Sequence, residues 1–221
     1  MLTAVIVATS CNRLPGSERR TGVVLPQFGM VGNSLIRSGW RVVLASPAGG
    51  AVPVDAGSLS EEWAGVSDQL ADSVALRDLD GFDGDTWVVL GGHGALVDLP
   101  EEPILARLLG DALQAGQPIL GIDHGAASFA GLMTREGFPF VAGARVTGRS
   151  DAEERDVRHD RIPHLSTEQR LRAAGARYAA GPAWQPYAVV DGPLVTAQNS
   201  ASIPLAISLL LSAKSQRQHV A

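Results

Sequence analysis

The feature that most constrains the fold is a series of short, continuous apolar runs separated by segments with helical spacing. The runs are Thr3 to Thr9, Arg41 to Ser46, Thr86 to Leu90 and Pro118 to Ile122. Strands that are apolar along their whole length are typical of parallel sheets covered on both faces. The segments with helical spacing are Val23 to Ser38, Glu102 to Ala115 and Ala126 to Met133. This order predicts a doubly wound, mostly parallel α/β domain of the flavodoxin-like kind, with helices on both faces.

The second half of the chain predicts shorter strands and a closing helix. The strands are Arg145 to Thr147, Arg177 to Ala179, Tyr187 to Val190 and Leu194 to Ala197. Asp191-Gly192 predicts a hairpin turn between the last two strands. The apolar pattern predicts a helix over residues 202–213, and the polar residues 214–221 predict a disordered tail. Because no repeat or linker interrupts the chain, residues 1–213 are expected to form one domain.

Composition excludes several classes of partner. A net charge of −5 and the absence of a nucleic-acid-binding motif argue against DNA or RNA. The longest apolar stretch, Ile203 to Leu211, is too short to span a bilayer, which argues against a membrane partner. Residues 1–8 lack the pattern of a secretion signal, and the single cysteine, Cys11, excludes an internal disulfide. These features predict a cytoplasmic protein.

The pentapeptide Gly121-Ile122-Asp123-His124-Gly125 joins a strand-like run to a helix-compatible run. A strand that turns sharply into a helix forms a nucleophile elbow, which lifts one side chain above the sheet edge. Flanking glycines relieve the crowding of such a strained corner. The side chain presented here is the carboxylate of Asp123. The alternative is an ordinary turn in which Asp123 caps the following helix.

Ligands of open α/β sheets bind at the carboxyl ends of the strands. Gly92 and Gly125 lie there, and their backbone N–H groups are candidate donors to an oxyanion. His93 either lines the pocket or bonds to its own turn, and Trp184 is either a pocket wall or a loop anchor. At Cys11 a small buried apolar role is favoured over a thiol nucleophile.

No metal site or other cofactor is predicted. His159 and His164 lie in a charged stretch, Asp151 to Arg172, that suggests a surface cap or lid. They lack a dense set of partners at the spacing of metal ligands. The run Gly91-Gly92-His93-Gly94 lacks the glycine spacing of a dinucleotide-binding or phosphate-binding loop.

Motifs spread over nearly the whole chain resemble the ThiJ/PfpI superfamily, whose fold is like that of class I glutamine amidotransferases. The matching segments are Arg20-Thr21-Gly22, Ala45 to Gly50 with Val52 to Asp55, Gly91 to Gly94 with Asp98, Asp123 to Gly125, Thr147-Gly148 with Asp151 and Glu154, and Asp191 to Ser202. The branch most similar to the chain is that of the glyoxalase III and heat-shock chaperone proteins. Fold does not settle chemistry, so the site must be compared residue by residue.

The resemblance implies a site in which the elbow residue is a cysteine followed by a histidine. The cysteine position is Asp123 here, and the histidine is His124. The acid that pairs with the histidine is Glu154, with Asp151 as the alternative. The glutamate that faces the family's thiol falls at Gln27, so two changes occur together. An amide at Gln27 avoids repulsion between two carboxylates and can donate a hydrogen bond to ionised Asp123.

These residues predict a cofactor-independent enzyme acting on a small or medium carbonyl-containing metabolite. Asp123 would act as a general acid or base, or as a nucleophile, in lyase, hydratase or isomerase chemistry. Such an enzyme would fit a biosynthetic tailoring step, and glyoxalase III activity itself is expected to be weak or absent. The alternatives are a holdase chaperone or binding protein, or an inactivated or engineered glyoxalase III-like protein. The resemblance implies a homodimer.

Overall fold

The computed structural model describes residues 1–82, 84–157 and 166–218. Its strands are β1 (Thr3–Val7), β2 (Arg41–Ser46), β3 (Val74–Ala75), β4 (Thr86–Val89), β5 (Ile119–Ile122), β6 (Arg145–Val146), β7 (Arg177–Tyr178), β8 (Ala188–Asp191) and β9 (Leu194–Ala197). Its α-helices are α1 (Leu25–Arg37), α2 (His93–Asp98), α3 (Pro103–Gln114), α4 (Asp151–Asp156), α5 (Thr167–Ala173) and α6 (Ile203–Gln218). The longer 3₁₀ segments are Glu61–Leu70 and Asp123–Gly131.

Seven strands form one sheet in the order β3-β2-β1-β4-β5-β9-β8. All neighbours in it are parallel except β8 and β9, which form an antiparallel hairpin at one edge. Strands β6 and β7 pair separately as a small parallel ribbon. The predicted fold class is confirmed: the sheet is mostly parallel and flavodoxin-like.

Two apolar clusters lie on opposite faces of the sheet, which explains why its strands are apolar throughout. Val5 and Val7 point to the face covered by α3 and by the buried side chain of Phe129. Ala4 and Ile6 point to the other face, which α1 and α6 cover. Each fully buried Val, Leu, Ile or Phe contributes about 1.5–3 kcal/mol relative to an exposed one. This double burial holds the carboxyl ends of β1, β4 and β5 at one rigid edge.

Local structure departs from the sequence prediction in three places. The segment after β5 is a 3₁₀ helix, Asp123–Gly131, instead of an α-helix over residues 126–133. The hairpin turn lies one residue later than predicted, with Gly192 at φ +56°. Helix α6 continues to Gln218, so the predicted tail begins as helix, and Nζ of Lys214 binds Oδ1 of Asp85 at 3.0 Å.

The charged stretch between β6 and β7 forms α4 and α5 on either side of residues 158–165. Each helix begins with a capping box, at Ser150 for α4 and at Ser166 for α5. His159 and His164, for which no metal was predicted, lie outside the described residues. Within the described ranges, no helix is long and apolar enough to cross a membrane.

Candidate active site

Asp123 occupies the strained corner that directly follows β5. Its φ of 57° is in the left-handed region, which few residues other than glycine adopt. A side chain at Gly125 would place its Cβ 2.4 Å from the carbonyl oxygen of Val89, and one at Gly121 would meet Ala126 at 2.8 Å. A Cβ at Gly91 would lie 2.6 Å from that of Asp123. The glycines therefore make room for the elbow, as the sequence indicates.

The carboxylate of Asp123 points away from its own helix and toward Gln27. Nε2 of Gln27 donates to Oδ2 of Asp123 at 2.8 Å, and Oε1 of Gln27 accepts from the backbone N–H of Gly91 at 2.9 Å. The segment that follows has Ile122 as its cap, without a capping bond from a side chain. Asp123 is therefore not a helix cap, and the amide of Gln27 fixes one of its two oxygens.

His124 is held by Glu154 from the first turn of α4. Nε2 of His124 lies 2.5 Å from Oε1 of Glu154, and Nε2 of His93 lies 3.3 Å from Oε2 of the same carboxylate. The rings of His93 and His124 are tilted against each other with centroids 4.3 Å apart. The alternative acid, Asp151, accepts from Ser166 instead. The geometry thus brings Glu154, and not Asp151, to His124.

Arg149 is a site residue that the sequence analysis missed. Its side chain is buried, with Nε 4.0 Å from Oδ1 of Asp123 and 3.6 Å from Oε1 of Glu154. Its backbone N–H also donates to the carbonyl oxygen of Asp123 at 3.2 Å. The available signal was its position directly after Thr147-Gly148, between that pair and the acids Asp151 and Glu154, which also match the superfamily.

Neighbouring charges shift the pKa values of Asp123, His124 and Glu154. Burial opposes the charged form of Asp123, but the positive charges of His124 and Arg149 lower the pKa of its carboxyl to about 2. Burial likewise opposes protonation of His124, but Asp123 and Glu154 raise the pKa of its imidazole to about 9. The pKa of Glu154 is lowered, against its burial, by hydrogen bonds from the two histidines. At neutral pH the site therefore holds two carboxylates, one imidazolium and one guanidinium.

His93 remains neutral in this arrangement. Burial and the nearby charge of His124 lower the pKa of His93, and together they outweigh the negative charge of Glu154, which would raise it. It begins α2, directly after Gly92, whose φ is +102°. The structure places His93 against Glu154 instead of bonding it only to its own turn, and its role in the site stays a prediction.

Three buried polar atoms of the site have no hydrogen-bond partner among the described residues. They are Oδ1 of Asp123, Nδ1 of His124 and Nε of Arg149. Nδ1 of His124 lies 3.1 Å from Oδ1 of Asp123, but the two groups are not aligned as a hydrogen bond. Unpaired buried polar atoms are costly, and such groups in native proteins commonly mark a functional site.

Trp184 lies over a residue of the site, and Cys11 lies outside it. Trp184 has φ +63°, is 42% exposed, and places its ring 4.4 Å from the guanidinium carbon of Arg149. It therefore covers Arg149 instead of serving only as a loop anchor. Cys11 is only partly buried, and its Sγ donates to the carbonyl oxygen of Arg13 at 3.1 Å. Burial raises the pKa of the Cys11 thiol, which disfavours a reactive thiolate.

The pair of histidines and Glu154 also has the donor set of a transition-metal site. One ligand atom from each of His93, His124 and Glu154 lies within 4.8 Å of the others. A metal at this point would have to displace the proton of His124. It would also face the guanidinium of Arg149, which lies 3.6 Å from Glu154. These two positive charges oppose the binding of a metal cation beside Glu154.

Comparison with known proteins finds relatives of known fold that match half of the chain or more. The chain is 36% identical over 118 residues to the glutathione-independent glyoxalase HSP31 of Saccharomyces cerevisiae, a match that spans 50% of this chain and 49% of that protein. It is 27% identical over 222 residues to glyoxalase 3 of Candida albicans, covering 91% of this chain and 94% of that one. The crystal structure of the C. albicans glyoxalase III superposes with a TM-score of 0.84 at 24% identity, over 96% of this chain and 97% of that one.

No family model matches the chain. Its fold nevertheless places it among proteins with a flavodoxin-like domain. The chain is similar in sequence to the glyoxalase III and HSP31 proteins, and it has the fold of the ThiJ/PfpI and DJ-1 structures. These relatives support a DJ-1/ThiJ-type enzyme or chaperone.

Proposed function

We propose that the chain is a cofactor-independent enzyme that moves protons on a small, carbonyl-containing molecule, through lyase, hydratase or isomerase chemistry. The observation that carries this proposal is the pair of unpartnered atoms at the elbow. Oδ1 of Asp123 is a free acceptor, and Nδ1–H of His124 is a free donor 3.1 Å away. Such an acceptor can remove a proton from a carbon atom of the substrate, while the neighbouring donor protonates the adjacent carbonyl oxygen.

The surrounding residues support these roles. Gln27 occupies Oδ2 of Asp123 and leaves Oδ1 for the substrate. Glu154 accepts from Nε2 of His124 and so keeps the imidazole charged and its Nδ1–H directed into the site. A carboxylate with a pKa of about 2 is a weak base. A substrate bound between Asp123 and His124 would separate the two charges and raise the basicity of Asp123.

Covalent catalysis by Asp123 is the less favoured role. The carboxylate is stabilised by Gln27 and by two positive charges, which reduces its nucleophilicity. The backbone N–H groups of Gly92 and Gly125 remain candidate donors to a developing oxyanion in either case. The assignment of the site to a biosynthetic tailoring step, the homodimer and the cytoplasmic location remain predictions.

The names of the relatives suggest glyoxalase activity, and we expect it to be weak or absent in this chain. In the family, that reaction is expected to begin when the thiolate of the elbow cysteine adds to the aldehyde of methylglyoxal. A carboxylate adds to aldehydes far less readily than a thiolate does. Assaying D-lactate formed from methylglyoxal tests this expectation, and robust turnover by the unmodified protein would contradict it.

The proposed function is tested by incubating the protein in D₂O with a panel of small aldehydes and ketones. Proton NMR would follow the replacement of hydrogen by deuterium at the carbon next to each carbonyl group. We expect exchange with at least one compound, lost on Asp123→Asn and on His124→Ala. Arg172→Met provides a matched control, since Arg172 also lies over an aromatic ring, that of Tyr178 at 4.9 Å, but outside the site. Exchange that survives Asp123→Asn would exclude the proposed role of the carboxylate.

The alternative is a binding protein or holdase on the same fold. The turn over residues 133–139 supports it, because Met133 and Phe138 there are 52% and 67% exposed. If this turn carries the function, suppression of client aggregation should survive Asp123→Asn and fall on Phe138→Ser. The two variants thus separate the two candidate functions.

A further inference from the structure

Arg149 brings a second unpartnered donor to the elbow. Its Nε and Nδ1 of His124 both lie within 4.0 Å of Oδ1 of Asp123. We infer that these three atoms bind a small, uncharged molecule that carries a carbonyl group and a hydroxyl group on adjacent carbons. This inference rests on the proposed function, since Asp123 and His124 serve both as its catalytic pair and as two walls of the binding site.

The position of Arg149 is fixed by its surroundings. Its guanidinium lies between the ring of Trp184 on one side and the carboxylates of Asp123 and Glu154 on the other. Glu153, which is fully buried, accepts from the backbone N–H of Trp184 at 2.9 Å and thereby ties the loop of Trp184 to α4. Nε of Arg149 is thus held near the two carboxylates without a hydrogen bond to either. A ligand oxygen that accepts this N–H would satisfy it.

The charges of the site favour an uncharged ligand. Asp123 and Glu154 contribute two negative charges, and His124 and Arg149 contribute two positive charges. A carboxylate ligand would add one negative charge that no group in the buried site offsets, which is costly. A 2-oxo acid is therefore expected to bind less well than a neutral molecule of the same size.

The donors and the acceptor define the rest of the ligand. Two N–H groups, from His124 and Arg149, can donate to one carbonyl oxygen. Oδ1 of Asp123 can only accept while it is ionised, so it is satisfied by a ligand that carries a hydroxyl group beside that carbonyl group. A simple aldehyde or ketone offers no hydroxyl, whereas a 2-hydroxycarbonyl compound satisfies all three atoms.

The same geometry gives a balanced reaction. Oδ1 of Asp123 removes the proton from the carbon that bears the hydroxyl group, and the electron pair of that C–H bond forms a carbon–carbon double bond. Nδ1 of His124 gives its proton to the carbonyl oxygen, which yields an enediol. Asp123 then returns its proton to the other carbon, and Nδ1 of His124 takes back a proton from the hydroxyl group of the first carbon, which becomes the carbonyl group. A hydroxyketone is thus converted into a hydroxyaldehyde with no oxidant or reductant.

The test measures binding separately from turnover. The full chain, labelled with ¹⁵N, would be titrated with dihydroxyacetone while NMR follows the Nε–H signal of Arg149. Acetone serves as the probe without a hydroxyl group, and pyruvate as the anionic probe. We expect dihydroxyacetone to shift this signal at the lowest concentration of the three. Tighter binding of pyruvate, or equal binding of acetone, would overturn the inference.

Variants complete the test. Because they lack the Nε–H signal of Arg149, binding to them would be followed through the indole N–H signal of Trp184, whose ring covers residue 149. Arg149→Met should weaken the binding of dihydroxyacetone by roughly 10- to 100-fold, as expected for the loss of a hydrogen bond from a charged donor. Arg149→Lys keeps the charge without the Nε–H and should be weakened as well, which covers a failure of the methionine variant to fold. Arg172→Met should bind as the wild type does. Unchanged binding by both Arg149 variants would overturn the inference.

The inference and the proposed function fail in different ways. Binding of dihydroxyacetone that depends on Arg149, without exchange of any carbonyl compound in D₂O, would leave the binding site standing and exclude the acid–base function. Exchange on other carbonyl compounds, without binding that depends on Arg149, would exclude the binding site and leave the function standing.

Discussion

Replacing Gln27 by glutamate tests whether Asp123 is ionised beside it. The amide donates to Oδ2 of Asp123 and accepts from Gly91, and a protonated glutamic acid has the same shape and can keep both hydrogen bonds. An ionised glutamate cannot, since two carboxylates would then face each other. The folded protein must therefore take up a proton, and the pKa of the carboxyl pair is raised above its value in the unfolded chain.

The free energy needed to keep the glutamate protonated sets the loss of stability. A glutamate in the unfolded chain has a pKa of about 4.3, so keeping it protonated at pH 7 costs about 4 kcal/mol, and at pH 5 about 1 kcal/mol. Because the folded pKa is raised, the penalty is absent below pH 4 and grows as the pH increases. The slope is about 1.4 kcal/mol of unfolding free energy per pH unit.

Gln198→Glu is a matched control for this substitution. Gln198 is equally buried, donates to a carboxylate oxygen of Glu153 at 3.1 Å and accepts from the backbone N–H of Gly181 at 2.8 Å. Urea unfolding at pH 5, 6 and 7 should therefore show a similar loss of stability for both variants. Only Gln27→Glu changes the environment of Asp123, so it should reduce proton exchange more than the control does.

A double variant complements this test. Gln27→Glu combined with Asp123→Asn moves the carboxylate to the opposite wall of the site, so that positions 27 and 123 again carry a single carboxylate. It should recover most of the stability lost at pH 7 by Gln27→Glu alone. A Gln27→Glu protein as stable at pH 7 as the wild type, with no dependence on pH, would show that Asp123 is not an ionised neighbour of residue 27.

Three further predictions concern the elbow, the imidazole and metal ions. In urea unfolding, Gly125→Ala should lower the unfolding free energy by at least about 2 kcal/mol, because its Cβ would lie 2.4 Å from the carbonyl oxygen of Val89. The control Gly110→Ala has open space around it in α3 and should be neutral or stabilising by up to about 1 kcal/mol. Because the pKa of His124 is raised to about 9, its protonation stabilises the fold below pH 6.5, and this contribution is lost as the pH rises toward 9. The free energy of unfolding and the rate of proton exchange should therefore both decline above neutral pH. A His124→Gln variant should lack the decline in stability. Dialysis against a chelator should leave proton exchange unchanged. Added Zn²⁺ should inhibit the exchange by binding between His93 and His124 and displacing the proton of His124. Loss of activity on chelation would contradict the cofactor-independent mechanism.

The sequence was sufficient for the fold because the relevant signals are local. Continuous apolar runs such as Thr86 to Leu90 predict strands buried on both faces, and the sheet buries them so. The elbow was also predictable, since Gly121 and Gly125 flank a short polar corner. The segment after the corner was not, because runs of small residues such as Ala126-Ala127 fit α and 3₁₀ geometry alike.

The site was predictable in part, through positions carried over by family resemblance. Gln27, Asp123, His124 and Glu154 meet as expected, although 96 residues separate Gln27 from Asp123. Arg149 was missed because a lone arginine in a loop usually points to solvent. Its burial depends on Asp123 and Trp184, which come from other parts of the chain, as well as on the nearby Glu154, so no local pattern reveals it.

The account depends most directly on the ionisation of one carboxyl group. A ¹³C NMR titration of the Asp123 side chain, assigned by comparison with Asp123→Asn, measures it. We predict a carboxylate signal that stays constant from pH 8 down to pH 4, in keeping with a pKa of about 2. A midpoint at pH 5 or above would show a carboxyl group that is not stabilised by Gln27, His124 and Arg149, and would contradict the proposed site.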